Sequence, residues 1–99
     1  MYDHSYILRD EEDLFTLYDP ESGRKLVVNT TNPCIQIYTG NFLESDIIGK
    51  GGVKYKNRDG IAIEPQLLPN SIHIEEEPMV ILRPGETYKE KTVYTFEVE

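Results

Sequence analysis

The feature that most constrains the fold of this chain is a strict alternation of residue types near its end. Segment 93–98 reads VYTFEV, which puts Tyr94, Phe96 and Val98 on one face of an extended strand. Successive strand residues point to opposite faces of a sheet, so a period of two indicates a β-strand with two different faces. Helical periodicity is absent along the chain, and the sequence therefore predicts an all-β fold.

Six further segments have the same character, being short and rich in β-branched and aromatic residues. Turn-forming residues separate them, including 19–23 (DPESG), Asn32-Pro33 and Pro84-Gly85. Strands at this spacing predict an antiparallel β-sandwich, or part of one, formed as a single domain over residues 1–99. The predicted strands are Ser5–Leu8, Leu14–Tyr18, Lys25–Asn29, Ile35–Tyr38, Ile61–Glu64, Met79–Leu82 and Val93–Val98.

The charge balance limits the partners of the chain. Acidic residues outnumber basic ones 18 to 10, for a formal net charge of -8. Such a surface repels phosphate backbones, so we expect no nucleic-acid partner. No apolar run approaches the roughly 20 residues that span a bilayer, and the opening residues lack a basic signal region, so we expect no membrane association. The single Cys34 excludes an internal disulfide and fits a buried apolar role in the cytoplasm.

Glu64 is a candidate for proton-transfer chemistry. It follows the apolar run Ile61–Ile63, where a buried carboxylate would suit a general base. In the alternative interpretation Glu64 points outward on an alternating strand, on the same face as Ala62. The pattern taken alone favours this second interpretation.

For three other polar residues and one long loop, the sequence allows both a functional and a purely structural interpretation. Gln36, on a strand face shared with Tyr38 or Cys34, can donate and accept the hydrogen bonds that sugar hydroxyls require, or it can simply be exposed. Asp3 and His4 are either functional or part of a polar terminus. The segment Gly40–Gly60 holds five glycines, and such a long loop is either a binding loop or a mobile surface connection.

Five segments, taken in chain order, resemble the aldose 1-epimerase (galactose mutarotase) family. The run 32–41 (NPCIQIYTGN) is similar to its Pro-x-x-Gln-aromatic-Tyr-Thr-Gly-Asn pattern. The run 63–66 (IEPQ), followed by Pro69, resembles its Glu-x-Gln-x-x-Pro-Asp. Asp3-His4 resembles the Asp-His that opens the family's C-terminal portion, and 22–24 (SGR) and 82–88 (LRPGETY) also match. The resemblance covers essentially the whole chain and identifies it with the C-terminal third of the family.

The resemblance implies a fold, an activity and a set of site residues. The fold would be part of the galactose mutarotase-like supersandwich, and the activity would interconvert the α and β anomers of hexoses such as galactose and glucose by acid/base ring opening. Glu64 would be the general base, and Asp3 and Gln36 would bind the hydroxyls of the aldose. Ring opening by proton transfer needs no organic cofactor, and no metal is expected because the carboxylates do not cluster with His.

The same resemblance implies that the general acid, a His in this family, is missing from this chain. His73, Asn70 and the acidic segment 75–78 (EEEP) depart from the family pattern around the rim of the site. A base alone makes a poor catalyst, since each positioned acid or base contributes typically ~10²–10⁴-fold. We therefore expect a weak or inactive isolated chain that forms a homodimer through exposed strand edges or needs a complementing N-terminal fragment. The alternative is a non-catalytic carbohydrate-binding or interaction module.

Overall fold

A computed structural model describes residues 1–8, 15–74 and 80–99 of the chain. Its regular structure consists of β-strands and two short 3₁₀ turns, Lys50–Gly52 and Ser71–His73. The prediction of an all-β, antiparallel fold is confirmed. The strands are β1 Asp3–Ile7, β2 Phe15–Tyr18, β3 Arg24–Thr30, β4 Cys34–Tyr38, β5 Ala62–Gln66 and β6 Thr92–Val98.

The strands form two antiparallel sheets. The first has the order β1-β4-β5 and the second the order β2-β3-β6, so β4 and β3 are the central strands. Strands β2 and β3 form a hairpin whose turn is fixed by Asp19, which accepts hydrogen bonds from the Ser22 hydroxyl (2.6 Å) and from the Glu21 amide (3.2 Å). Gly23 completes the turn at a φ of 76°, in the left-handed region that favours glycine.

The hydrophobic core lies between the two sheets. Val28 of β3 is fully buried and packs with Ile35 and Ile37 of β4. Four partly buried residues extend this cluster from both sheets, namely Leu8, Phe15, Leu26 and Ile63. Since β4 turns Ile35 and Ile37 inward, the alternation of the strand turns Gln36 and Tyr38 to the outer face of the first sheet.

The structure corrects two of the predicted strands. The prediction of a strand over Met79–Leu82 is wrong for its described part, since 80–82 is irregular and the side chains of Ile81 and Leu82 are exposed. Met79 and Leu14 lie outside the described residues. The strand predicted to end at Glu64 instead continues through Pro65 to Gln66. Proline is tolerated there because β5 is an edge strand among the described residues, with one side free of ladder partners.

The long connection from β4 to β5 has local order of its own. The carbonyl of Gly40 accepts the amide of Arg58 (2.7 Å), and the amide of Glu44 donates to the Asn57 side chain (2.8 Å). An isolated antiparallel bridge joins Ile48 to Lys54. These contacts close the loop at its base, beside the ends of β4 and β5. In the described part of the chain, no helix has the length and apolarity to cross a membrane.

Candidate active site on the outer face of the first sheet

The strand register brings the predicted site residues together on one face. On the central strand β4, Gln36 stands opposite Ser5 of β1 on one side and Glu64 of β5 on the other. Asp3 stands opposite Tyr38, two residues further along β4. Residues that face each other across antiparallel strands project to the same side of the sheet. The three side chains come from distant parts of the sequence, and only the β1-β4-β5 pairing makes them neighbours.

Asp3 and Gln36 are directly linked. The side-chain amide of Gln36 donates a hydrogen bond from Nε2 to Oδ1 of Asp3, at 2.9 Å. This hydrogen bond orients the Gln36 amide, with its nitrogen toward Asp3 and its carbonyl oxygen pointing away from Asp3. A pair held in this way offers both donors and acceptors, as the recognition of a sugar hydroxyl requires.

Glu64, Gln36 and Asp3 line one hollow of about 500 Å³. That volume lies within the roughly 300–1,000 Å³ of small-molecule sites. The Glu64 side chain is exposed, so of the two interpretations left open by the sequence, the outward-pointing one is correct. The carboxylate nevertheless lies within the hollow, because the outer face of this sheet is also the face that carries Gln36. The complete lining is Asp3, Gln36, Tyr38, Phe42, Glu64, Gln66 and Pro69.

Sequence reasoning did not assign four of the lining residues to the site, namely Tyr38, Phe42, Gln66 and Pro69. Tyr38 and Gln66 are each two residues from a predicted site residue, Gln36 and Glu64 respectively, so the period of two could have found them. Phe42 carries no such signal, since it lies in the loop beyond β4. The amide of Phe42 donates to the hydroxyl oxygen of Tyr38 (2.9 Å), which ties the start of the loop to the site.

The Thr-Gly-Asn part of the sequence motif positions β1 and does not line the hollow. Asn41 is buried, and its Nδ2 donates to the backbone carbonyl of Tyr2 (3.0 Å). The Thr39 hydroxyl accepts the amide of Tyr2 (2.9 Å) and lies 2.9 Å from Oδ1 of Asn41. Because Asp3 follows Tyr2 directly, these bonds hold Asp3 opposite Tyr38, within hydrogen-bond reach of the Gln36 amide. The motif therefore acts on the site through the register of β1.

The described lining contains acids, amides and aromatic rings and no basic side chain. His4 accepts the Asp3 amide on its Nδ1 (3.1 Å) and its ring lies toward Tyr6, while His73 lies in the second 3₁₀ turn, and neither lines the hollow. Among the described residues, no group of three or more His, Cys, Asp or Glu side chains is placed to hold a metal ion. What the hollow offers is two carboxylates and two amides, which can form hydrogen bonds to a polar ligand.

The two antiparallel sheets place the chain among the β-sandwich proteins. Comparisons with known proteins then identify its family. The family described as Aldose 1-epimerase matches residues 1–95. Galactose mutarotase from Sus scrofa is 41% identical over 100 residues, and that from Homo sapiens is 37% identical, in each case over 98% of this chain and 29% of the relative. Aldose 1-epimerase from Escherichia coli (strain K12) is 35% identical over 104 residues, covering 99% of this chain and 30% of the relative.

The chain belongs to the aldose 1-epimerase family. It spans less than a third of the length of these curated relatives. The site found on the outer face of the first sheet is therefore built by a small part of a larger family architecture.

Proposed function

We propose that this chain is the base-bearing and sugar-binding part of a mutarotase, which interconverts the α and β anomers of hexoses such as galactose and glucose. One observation carries the proposal: Glu64 and Gln36 stand opposite each other on adjacent strands, and Asp3 is hydrogen bonded to Gln36. All three belong to one hollow in a chain of the aldose 1-epimerase family.

In this proposal Glu64 is the general base. Its carboxylate takes the proton of the anomeric hydroxyl, the electron pair left on that oxygen forms the carbonyl, and the bond from the anomeric carbon to the ring oxygen breaks. The ring oxygen takes a proton from a general acid, and reclosure on the other face of the carbonyl gives the other anomer. The exposure of Glu64 leaves its carboxylate accessible to a sugar that enters the hollow.

Asp3 and Gln36 bind and orient the substrate. The carboxylate of Asp3 can only accept hydrogen bonds, while the amide of Gln36 both donates and accepts. Their mutual bond at 2.9 Å places these groups before the sugar arrives, which lowers the cost of ordering them on binding. The acidic lining favours a neutral aldose over a sugar phosphate, since two carboxylates repel an anion.

The general acid is supplied by a part of the family architecture that this chain does not contain. Neither His4 nor His73 lies among the described lining residues, and we propose, from the motif resemblance, that the chain corresponds to the C-terminal third of the family. We propose that residues 1–99 form one structural unit of that third. Full activity then requires the remaining two thirds.

A carbohydrate-binding module without catalysis is the second candidate. It is favoured by the composition of the hollow, which among the described residues contains hydrogen-bonding groups and no His. Such a module would use Asp3, Gln36 and Glu64 as ligand contacts only.

Polarimetry distinguishes the two functions. The optical rotation of freshly dissolved α-galactose is followed with this chain, alone and substituted for the matched segment in Sus scrofa galactose mutarotase. We expect the substituted protein to accelerate the change in rotation, and Glu64→Gln to remove at least about 100-fold of that acceleration. Saturable galactose binding without acceleration in either form supports the module and contradicts the catalytic role of Glu64. Glu44→Gln, which makes the same change at an exposed residue outside the hollow, is the matched control and should leave the acceleration unchanged.

A further inference from the structure

The hollow on the outer face of the first sheet has an aromatic wall. Among its described lining residues, Phe42 is the aromatic side chain that has no polar atom. It lines the hollow together with two carboxylates and two amides, and it is 81% exposed. Small-molecule sites combine apolar and aromatic surface with a few polar groups that fix the orientation of the ligand. The carboxylates and the amide of Gln36 have roles in the proposed function, whereas the ring of Phe42 has none.

The backbone of Phe42 is held in place although its ring is exposed. Its amide donates to the Tyr38 hydroxyl (2.9 Å), and the preceding residue, Asn41, is buried. The turn begins at Gly40, whose φ is 66° and where a Cβ would lie 2.5 Å from the carbonyl oxygen of Gly60. Glycine alone fits this close approach, which packs the turn against the chain that enters β5. A ligand that covers the ring therefore has to order only the side-chain torsions of Phe42, which keeps the cost of binding low.

A second exposed phenylalanine shows what distinguishes Phe42. Phe96 is 80% exposed, but it lines its own hollow on the second sheet with other apolar side chains, such as Leu17 and Leu26. Phe42 shares its hollow with acids and amides. A ligand that fills this hollow must therefore present apolar surface to the ring and hydrogen-bonding groups to its polar neighbours, both within one small molecule.

A pyranose sugar in its chair form has both kinds of surface. Its hydroxyl groups lie mainly around the rim of the ring, and its C–H groups lie on the two faces. In galactose the hydroxyl at C4 is axial and lies on one face, so the C–H groups at C3, C4 and C5 form an apolar patch on the other. In glucose the C–H group at C4 points to the opposite face, so this patch is smaller. An aromatic ring packs on such a patch through dispersion contacts and through the attraction of C–H groups to its negative face.

We propose that Phe42 is a specificity-determining residue of the hollow and that its ring packs on the C3–C5 patch of an aldose with the galactose configuration. The hydroxyl rim of the sugar then faces Asp3, Gln36 and Glu64. Carbons C3 to C5 keep their bonds while the ring opens at the anomeric carbon, so the contact binds the substrate and the transition state equally. Such a contact lowers KM and leaves kcat unchanged. This inference deepens the proposed function and rests on it.

Equilibrium binding tests the assignment of Phe42. Galactose and glucose, each at anomeric equilibrium, are titrated by NMR into this chain, alone and substituted for the matched segment in Sus scrofa galactose mutarotase. Phe42→Leu keeps an apolar side chain and removes the aromatic face. We expect it to raise the dissociation constant of galactose about 3–10-fold and that of glucose less than about twofold. Phe42→Tyr keeps the ring and should retain the preference for galactose.

The matched control is Phe96→Leu, which makes the same change at a ring of nearly equal exposure outside the hollow. It should change neither dissociation constant by more than about twofold. Saturation-transfer NMR with irradiation of aromatic protons gives a second readout, because a packed ring transfers magnetisation most strongly to the galactose protons on C3, C4 and C5. Phe42→Leu should remove this pattern. Equal effects of Phe42→Leu and Phe96→Leu overturn the proposal, as does an equal loss of affinity for the two sugars.

Failure of this proposal is distinguishable from failure of the proposed function. Galactose binding that depends on Phe42, without any acceleration that depends on Glu64, contradicts only the catalytic role of Glu64. Acceleration that Glu64→Gln removes, with galactose binding that Phe42→Leu leaves unchanged, overturns only the role of Phe42. Absence of galactose binding in both forms of the chain overturns the two proposals together.

Discussion

Replacing Gln36 with a carboxylate tests whether Asp3 and Glu64 truly flank it. Gln36→Glu keeps the size of the side chain, removes the donor that bonds to Asp3 at 2.9 Å and places a negative charge between two others. Losing an intramolecular hydrogen bond costs about 0.5–1.5 kcal/mol. Two like charges about 4 Å apart repel by about 1 kcal/mol in water, and the exposure of Asp3 and Glu64 keeps the dielectric near that limit. We therefore expect a loss of about 1–3 kcal/mol in the free energy of unfolding near neutral pH.

The stability loss caused by Gln36→Glu should depend on pH, because the introduced carboxyl can be protonated. Repulsion raises the pKa of the introduced carboxyl above its unfolded value of about 4.3, so the folded chain binds the proton more tightly than the unfolded one. The repulsive penalty is present above the raised pKa and disappears as the pH falls through it. Urea unfolding followed by the fluorescence of the seven Tyr residues, at several pH values, measures the difference from the unsubstituted chain.

Gln36→Met is the matched control for this experiment. It removes the same hydrogen bond without adding charge, so its stability loss should be smaller and independent of pH in the acidic range. If the difference between Gln36→Glu and Gln36→Met does not shrink on acidification, the carboxylates do not flank position 36, and the reasoning about the site is refuted.

Two further predictions concern the supports of the fold. Hydrogen bonds from the Ser22 hydroxyl and then the Glu21 amide lower the pKa of Asp19 below 3.8. The Asp19 carboxylate therefore stabilises the fold fully above its unfolded pKa, and this stabilisation is lost as the pH falls through the lowered pKa. The stability deficit of Asp19→Asn should accordingly disappear in acid, and a deficit that stays constant over about pH 2–6 would contradict the turn. Asn41→Ala should cost about 0.5–1.5 kcal/mol in urea unfolding, because it removes the hydrogen bond that the buried Asn41 amide donates to the Tyr2 carbonyl. Asn57→Ala, which removes an exposed acceptor of the Glu44 amide, should cost less, and equal costs would refute this role of Asn41.

The sequence predicted the strands that carry apolar residues on one face, whether that face is buried, as in β4, or exposed, as in β6. Segment 93–98 became most of β6, and 35–38 became most of β4, because each carries apolar residues at a strict period of two. The segment 80–82 looked similar and is irregular in the structure. Local pattern measures strand propensity, whereas a strand also needs a neighbour to satisfy its backbone, and no described strand pairs with 80–82.

The sequence could predict only some of the residues that form the site. Family motifs pointed to Asp3, Gln36 and Glu64, and the structure places all three in one hollow; their roles stay predictions. Phe42 could not be found in this way, since its position depends on the loop that begins at Gly40 and on the bond between its amide and Tyr38. Register across strands is a tertiary property, so the sequence could not show that Gln36 and Glu64 are direct neighbours.

A galactose titration followed by NMR tests the central claim most directly. The side-chain amide signals of Gln36 and the carboxyl carbon signals of Asp3 and Glu64 are observed in the chain assembled with the remainder of the Sus scrofa protein. The account predicts that all three move together and saturate with a common dissociation constant, and that Gln36→Met weakens this binding. Saturable shifts confined to other residues, with these three unmoved, would contradict it.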